Sequence, residues 1–351
     1  MAPTVLHLGW GFPPKITGGL DTAIAELFEV FEDRDTVDMQ IALPAEFDPG
    51  DRENVHGIET GSGDLITRVN QMEAEFVRLA GDADIVHTND WFGYRPGASA
   101  QQTHDIPWVT TFHSLSVERN LDPPPQELAA EQRIVDEADH LLTVSNVTRE
   151  RIAEHHGGDA HVIHNGFPSV TPTGRDVKAE LGIDGEMLFF VGRHTHQKGL
   201  SYLLAAVERL SREDVTLVVG GTGHLTDQLK RFADALDIAD QVQFVGYVPE
   251  EELADYYASA DLFVSPSLAE PFGITVVEAL SVDTRVVTTD CGAAEILPDD
   301  VLVQVTPDSR AVASGIQRGL AMDGPIEYET RTWGDVADDH EAFYLDILEE
   351  A

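Results

Sequence analysis

DLFVSPSLAEPFGITVVEAL, residues 261–280, decides how the chain reads. The apolar run Leu262–Val264 closes on Ser265-Pro266, the pattern of a buried strand running into a loop. The chain then turns through Pro271-Phe272-Gly273. From Ile274 the apolar spacing becomes helical, with Val277, Ala279 and Leu280 on the inward face. A strand, a short loop and a helix N-terminus offer free backbone N–H groups and a positive dipole end, here at Ile274 and Thr275, which suits an anion. Gly273 lets a ligand approach the backbone closely.

Two carboxylates frame that corner, Glu270 in the loop and Glu278 on the helix. A carboxylate repels a phosphate, so each reads as an acceptor for hydroxyls flanking the phosphates. A sugar nucleotide has that layout, with sugar hydroxyls on one side and ribose hydroxyls on the other. The plainer alternatives are a solvated helix residue for Glu278 and a helix cap for Glu270.

With 351 residues, 42% of them hydrophobic, the chain suits two domains with a core each. Its charge is extreme: 63 acidic against 22 basic residues give −41, and the only lysines are Lys15, Lys178, Lys198 and Lys230. Such a surface suits a salt-rich cytoplasm, where ions screen the self-repulsion. It argues against bare nucleic acid as a partner. It also argues against a basic patch on anionic lipid, while peripheral membrane association stays open. Cys291 is the single cysteine, so neither a disulfide framework nor a thiolate zinc site is expected. The N-terminus has neither a basic segment nor a long apolar run, so no signal peptide and no integral membrane segment are expected, and the protein reads as cytoplasmic.

The first half alternates strands at 4–10 and near 38–43, 84–87 and 107–112 with helical stretches near 65–80 and 126–138, a doubly wound α/β pattern. After the first strand, Gly11 to Gly19 forms a loop into a helix with Leu20, Ala23, Ile24, Leu27, Phe28 and Phe31 on one face. Gly18 and Gly19 make a second anion cradle. Gly9-Trp10-Gly11 lacks the third glycine of the dinucleotide fingerprint. His87 and His113 both close a strand, where such sheets carry their chemistry. His87 reads as a satisfied strand-end histidine or a ligand-facing one. Ser145 reads as a helix cap, and residues 167–185 as an interdomain connection.

The second half opens with a strand at Met187–Val191 and the loop Gly192-Arg193-His194-Thr195-His196-Gln197-Lys198-Gly199. Arg193 and Lys198 flank one strand-to-helix loop, and two fixed cations suit a diphosphate leaving group. His194 and His196 lack a third ligand and read as solvent-facing rather than as a metal site. Gly220-Gly221-Thr222-Gly223 ends another strand, Tyr247-Val248 follows a further one, and Cys291 to Glu295 is expected to start a helix.

Taken in order, these motifs resemble the retaining glycosyltransferases of family 4, which have the GT-B fold. The likeness rests on Glu270 and Glu278 with Pro-Phe-Gly after the first, on Arg193 and Lys198, on the strand-end His113, and on Pro13-Pro14 followed by Gly18-Gly19-Leu20. It implies two Rossmann-like doubly wound domains facing across a cleft: an acceptor-side domain at 1–167 and a nucleotide-sugar domain at 168–331. A helix at 332–351 would return to the first domain. It also implies a nucleotide-diphosphate sugar as donor, no cofactor and no metal. The acceptor would be a sugar, glycan or lipid-linked hydroxyl, and configuration would be retained. Arg193 and Lys198 would take the diphosphate, with the Gly192 loop, and Gly18 and Gly19 would close on it from the other domain. Glu270 with the backbone of Phe272 and Gly273 would hold the donor sugar, His113 would sit beside it, Glu278 would hold the ribose, and the Val248 backbone would meet the base. Lys15 and the run Asp84 to Trp91 are similar to glycogen and starch synthases, although Lys15 stands one residue further from the glycines. Phe167-Pro168, Asp283 and Ala294 depart from the family pattern. The alternatives from other classes are a non-hydrolysing nucleotide-sugar epimerase and a non-catalytic sugar-nucleotide binder.

Overall fold

The computed structural model describes residues 2–16, 18–168 and 170–350. Thr17 of the first glycine loop and Ser169 of the connection lie outside them. The chain divides into two compact units. Unit 1 comprises Met1–Val117, Asp122–Gly166 and Arg331–Ala351; unit 2 comprises Glu118–Leu121 and Phe167–Thr330.

Unit 1 holds seven parallel strands: β1 (Thr4–Leu8), β2 (Asp38–Pro44), β3 (Val55–Ile58), β4 (Ile85–Asn89), β5 (Trp108–Phe112), β6 (His140–Thr143) and β7 (His161–Val162). Their order across the sheet is β3-β2-β1-β4-β5-β6-β7. Strands covered by helices on both faces are buried throughout, as every residue of β4 and of β5 is, with apolar residues at their starts and His87, Thr88, Asn89, Thr110 and Thr111 toward their carboxyl ends. One face packs Phe28, Phe31 and Tyr344, the other Met72, Phe76 and Trp108. The C-terminal helix Trp333–Glu350 belongs to this unit and turns Trp333, Val336, Ala337, His340, Tyr344 and Ile347 inward.

Unit 2 has six parallel strands: β8 (Glu186–Val191), β9 (Val215–Gly220), β10 (Val242–Gly246), β11 (Leu262–Ser265), β12 (Val286–Thr288) and β13 (Leu302–Gln304), in the order β10-β9-β8-β11-β12-β13. The helix Leu200–Leu210 buries Leu200, Leu203, Leu204, Val207 and Leu210 as its spacing predicts. In each sheet the strand order reverses beside the unit's opening strand, between β1 and β4 and between β8 and β11. Loops leaving the carboxyl ends of those strands diverge and leave a crevice. The switch points therefore bring together the loops after β1, β4 and β5 in unit 1, and those after β8 and β11 in unit 2.

Two local expectations are corrected, and one helix escaped the sequence reading. The connection at 167–185 contains a helical turn, Val177–Glu180, anchored by buried Val177 and by the Asp176 carboxylate, which accepts from the Ala179 N–H. The segment after Cys291 forms a single 3-10 turn, Gly292–Glu295, instead of a helix. The helix Tyr94–His104 is hidden in sequence by Pro96 and Gly97. Gly97 is dictated by packing, because a Cβ there would stand 2.2 Å from Trp108 Nε1. Asp283 occupies a left-handed turn at φ 60°, which explains why glycine suits that place.

Candidate active site

In unit 2 the stretch 261–280 folds as its pattern requires. β11 ends at Ser265 and a helix runs from Ile274 to Ser281, burying Val276, Val277, Ala279 and Leu280. Gly273 precedes it at φ 93°, a left-handed conformation that brings no side-chain cap to the helix. The amides of Ile274 and Thr275 thus face outward at a positive helix end. The corner is braced from behind: Gly292 and Ala293 donate their N–H groups to the Pro271 and Phe272 carbonyls at 3.1 and 2.8 Å. Phe272 is itself buried.

Glu270 lies against this corner, 8% exposed, and forms an ion pair with Lys198 at 2.7 Å. Ser267 donates a second hydrogen bond to the same carboxylate oxygen at 2.8 Å. Glu270 is therefore no helix cap. The Lys198 stem runs alongside Gly192, and the loop is locked between its neighbours. A Cβ at Gly199 (φ 62°) would stand 2.0 Å from the Pro266 carbonyl oxygen, and one at Gly221 (φ 98°) 2.0 Å from that of Gly192. Arg193 projects from this loop, exposed and with no ion pair among the described residues. In so acidic a chain, a guanidinium without a carboxylate partner, in the same loop as a lysine, suits an anion.

Glu278 is half-buried and accepts a hydrogen bond from the buried Tyr257 hydroxyl at 2.7 Å, so it is not the solvated residue of the plainer reading. Burial pushes its carboxyl above the usual range and outweighs the Tyr257 bond, which lowers it. A carboxyl with a raised folded value disfavours the folded state as pH rises through that value. Glu278→Gln keeps the Tyr257 bond and removes the charge. It should raise Tm at pH 7 by up to about 2–4 °C, the effect of roughly 1 kcal/mol in a domain of this size, while weakening nucleotide binding; calorimetric scans with and without nucleoside diphosphate check both. The Val248 side chain packs against Gly220, leaving its backbone to the loop, whereas the neighbouring Tyr247 is 75% exposed. His194 is buried: its Nδ1 lies 2.8 Å from Thr226 Oγ1, which corrects the solvent-facing reading, and His196 is exposed. Among the described residues no three His, Cys, Asp or Glu side chains form a metal-sized group.

Unit 1 carries the other predicted residues. Gly18 and Gly19 open the helix Gly19–Arg34, both exposed, and a Cβ at Gly18 would meet open space. Lys15 is exposed and donates to the Glu46 carbonyl. His113 follows β5, half-buried, with its N–H held at 2.8 Å by the Asp90 carboxylate. Asp90 adopts φ 51°, a costly conformation for a non-glycine residue at a strand end. Burial lowers the His113 pKa, against the opposing pull of Asp90 and Asp21. His87 is a satisfied histidine, bonded to Tyr344 Oη and Thr111 Oγ1 at 2.7 Å each.

Known proteins share this fold. The family model Glycosyl transferases group 1 matches residues 175–331, and Glycosyltransferase Family 4 matches 17–170. An uncharacterized glycosyltransferase of Methanocaldococcus jannaschii is 29% identical over 91% of this chain and 89% of its own. The structure of HepE from Anabaena with UDP and glucose superposes with a TM-score of 0.74 at 21% identity, covering 99% of this chain and 98% of that one. The chain is a glycosyltransferase of the GT-B fold. A D-inositol 3-phosphate glycosyltransferase of Catenulispora acidiphila is 32% identical over 68% of this chain, and the match spans 63% of that protein's length.

Several residues around the candidate residues of each unit of the glycosyltransferase escape a reading by motif: Ser267 and Tyr257, which fix Glu270 and Glu278, and Asn89 and Asp90, which fix His113. Ser267 stands inside the quoted stretch and had a signal, as a hydroxyl beside a loop carboxylate. Tyr257 lies on the separate helix Glu250–Ser259 and had none.

Proposed function

We propose that the enzyme transfers a sugar from a nucleotide-diphosphate sugar to a hydroxyl acceptor, with retention of configuration and without a metal. The observation that carries this reading is the Lys198–Glu270 pair beside the uncapped helix at Gly273. Breaking the bond between C1 and the phosphate oxygen leaves a nucleoside diphosphate that must absorb negative charge. Lys198, Arg193 and the Ile274 and Thr275 amides would offset it through fixed donors. Glu270 would then release part of its hold on Lys198 and accept donor-sugar hydroxyls, and Glu278 would accept ribose hydroxyls. Tyr247, an exposed aromatic beside the Gly220–Gly223 loop, would offer its face to the base. The acceptor oxygen bonds to C1 on the face the phosphate leaves, and its proton passes to the departing phosphate oxygen. Likeness to family 4 supports retention.

The bound UDP of the HepE structure makes UDP-sugars the first donors to try. A glucan-synthase reading has one observation in its favour: Lys15, exposed beside the glycine loop, makes no ion pair among the described residues. Glucose incorporation into α-glucan from ADP- or UDP-glucose would select it. The epimerase reading needs acid and base carboxylates in unit 1, yet Asp21, Asp90 and Glu131 accept from the backbone N–H groups of Gly11, His113 and Ser116. The test is transfer from a panel of nucleotide sugars in molar KCl with EDTA, the product read by NMR. A product with the donor's anomeric configuration, formed at an undiminished rate in EDTA, is expected. An inverted linkage or full dependence on a divalent ion would overturn the reading.

A further inference from the structure

The β4 and β5 ends hold a hydrogen-bond chain that fixes more than position. Asn89 is 2% exposed and closes β4. Its amide nitrogen donates to the Leu8 carbonyl oxygen at 2.9 Å. A carbonyl oxygen only accepts, so the nitrogen of this amide must face Leu8 and the oxygen must face the other way. The oxygen lies 3.0 Å from His113 Nε2. An amide oxygen also only accepts, so His113 Nε2 must carry a proton. Burial keeps this imidazole neutral near pH 7, and a neutral imidazole protonated on Nε2 has a bare lone pair on Nδ1. Nδ1 has no partner among the described residues and is not among the enclosed, unpaired atoms.

We propose that Asn89 is a positioning residue that holds His113 as its Nε2–H tautomer, leaving Nδ1 to accept a hydrogen bond from a substrate hydroxyl. This rests on the reading of His113 as a sugar-facing residue and adds what that position selects. An acceptor nitrogen takes O–H or N–H groups and rejects carboxylate, carbonyl and phosphate oxygens. Asp90 and Asp21, whose carboxylates act on His113, reinforce the rejection of an anion. The sugar group that meets His113 is therefore a hydroxyl and not the carboxylate of a uronic acid.

The test reads the tautomer without any substrate, so a failure to find a donor and a failure of this assignment are separate results. The full chain is labelled with 15N-histidine, and two-bond 1H–15N spectra are recorded at pH 7 in molar KCl. His113→Gln assigns the signal. The expected pattern is a protonated Nε2 with an unprotonated Nδ1 in the parent protein and a mixed-tautomer pattern in Asn89→Leu. Protonation on Nδ1 or on both nitrogens in the parent would overturn the proposal, as would an unchanged pattern in Asn89→Leu. Asn89→Asp covers the case in which the leucine variant does not fold. Its carboxylate keeps the Nε2–H tautomer and moves the His113 titration midpoint up by at least about one pH unit; an unmoved midpoint would overturn the assignment.

Discussion

Replacing Lys198 by alanine lowers kcat/KM for sugar transfer by about 10²–10³-fold, the loss typical of removing one fixed donor from a developing negative charge. The reason is local. Lys198 is one of four lysines in the chain, and it stands at the switch point of the unit 2 sheet in a loop whose Gly199 lies too close to the Pro266 carbonyl to carry a side chain. The fold should survive the change. Glu270 keeps its Ser267 hydrogen bond, and the lysine side chain is 20% exposed, so the lost pair is only partly shielded from water. Lys198→Arg retains charge but not the compact ammonium, and should recover part of the rate. A transfer assay with a melting curve for each variant checks this; near-normal kcat/KM in a folded Lys198→Ala protein contradicts the site assignment.

The second large effect concerns acid. Two buried histidines of unit 1, His7 and His87, meet the C-terminal helix, which carries a third, His340. Tyr344 Oη lies 3.1 Å from His7 Nε2 and 2.7 Å from His87 Nδ1, and His340 Nδ1 bonds the Val336 carbonyl at 3.0 Å. Burial pushes His7 down to about 3, His340 to about 4, and His87 well below its ordinary value. In the unfolded chain each takes a proton near pH 6.5, so below that pH the unfolded state binds more protons and stability falls with pH. Each group contributes about 1.4 kcal/mol per pH unit between 6.5 and its folded value. By pH 5 His7 and His340 together remove about 4 kcal/mol, a large part of the whole stability of many domains, and His87 acts in the same direction. Urea melts at pH 7 and pH 5 in molar KCl, where surface charge is screened, should show this loss. His340→Gln should flatten the slope by one proton; an unchanged slope would contradict the account.

The sheets were legible because parallel strands buried on both faces read as apolar runs, as Leu262–Val264 and Met187–Val191 do. Lys198 and Glu270 were legible for a related reason: polar residues immediately after such runs stand where a doubly wound sheet places its ligands. What pairs with what was not. His7 meets Tyr344 across a separation of 337 residues, and no local pattern announces that bridge. His194 looked solvent-facing on a loop, and Thr226, supplied by a later helix, buried it. Asn89 closes β4 among the polar residues His87, Thr88 and Asp90, and its role rests on the Leu8 carbonyl of the neighbouring strand β1.

The proposed function turns on Lys198 and the amide corner at Gly273 holding the diphosphate of a nucleotide sugar. Titration calorimetry of UDP, GDP, ADP, CDP and dTDP into the parent protein and Lys198→Ala, in matched molar KCl, tests it most directly. At least one nucleoside diphosphate is expected to bind the parent, with its affinity at least about tenfold lower in the variant, a loss of about 1.4 kcal/mol. Equal affinity in the two proteins, or no binding of any of the five to the folded parent, would contradict it.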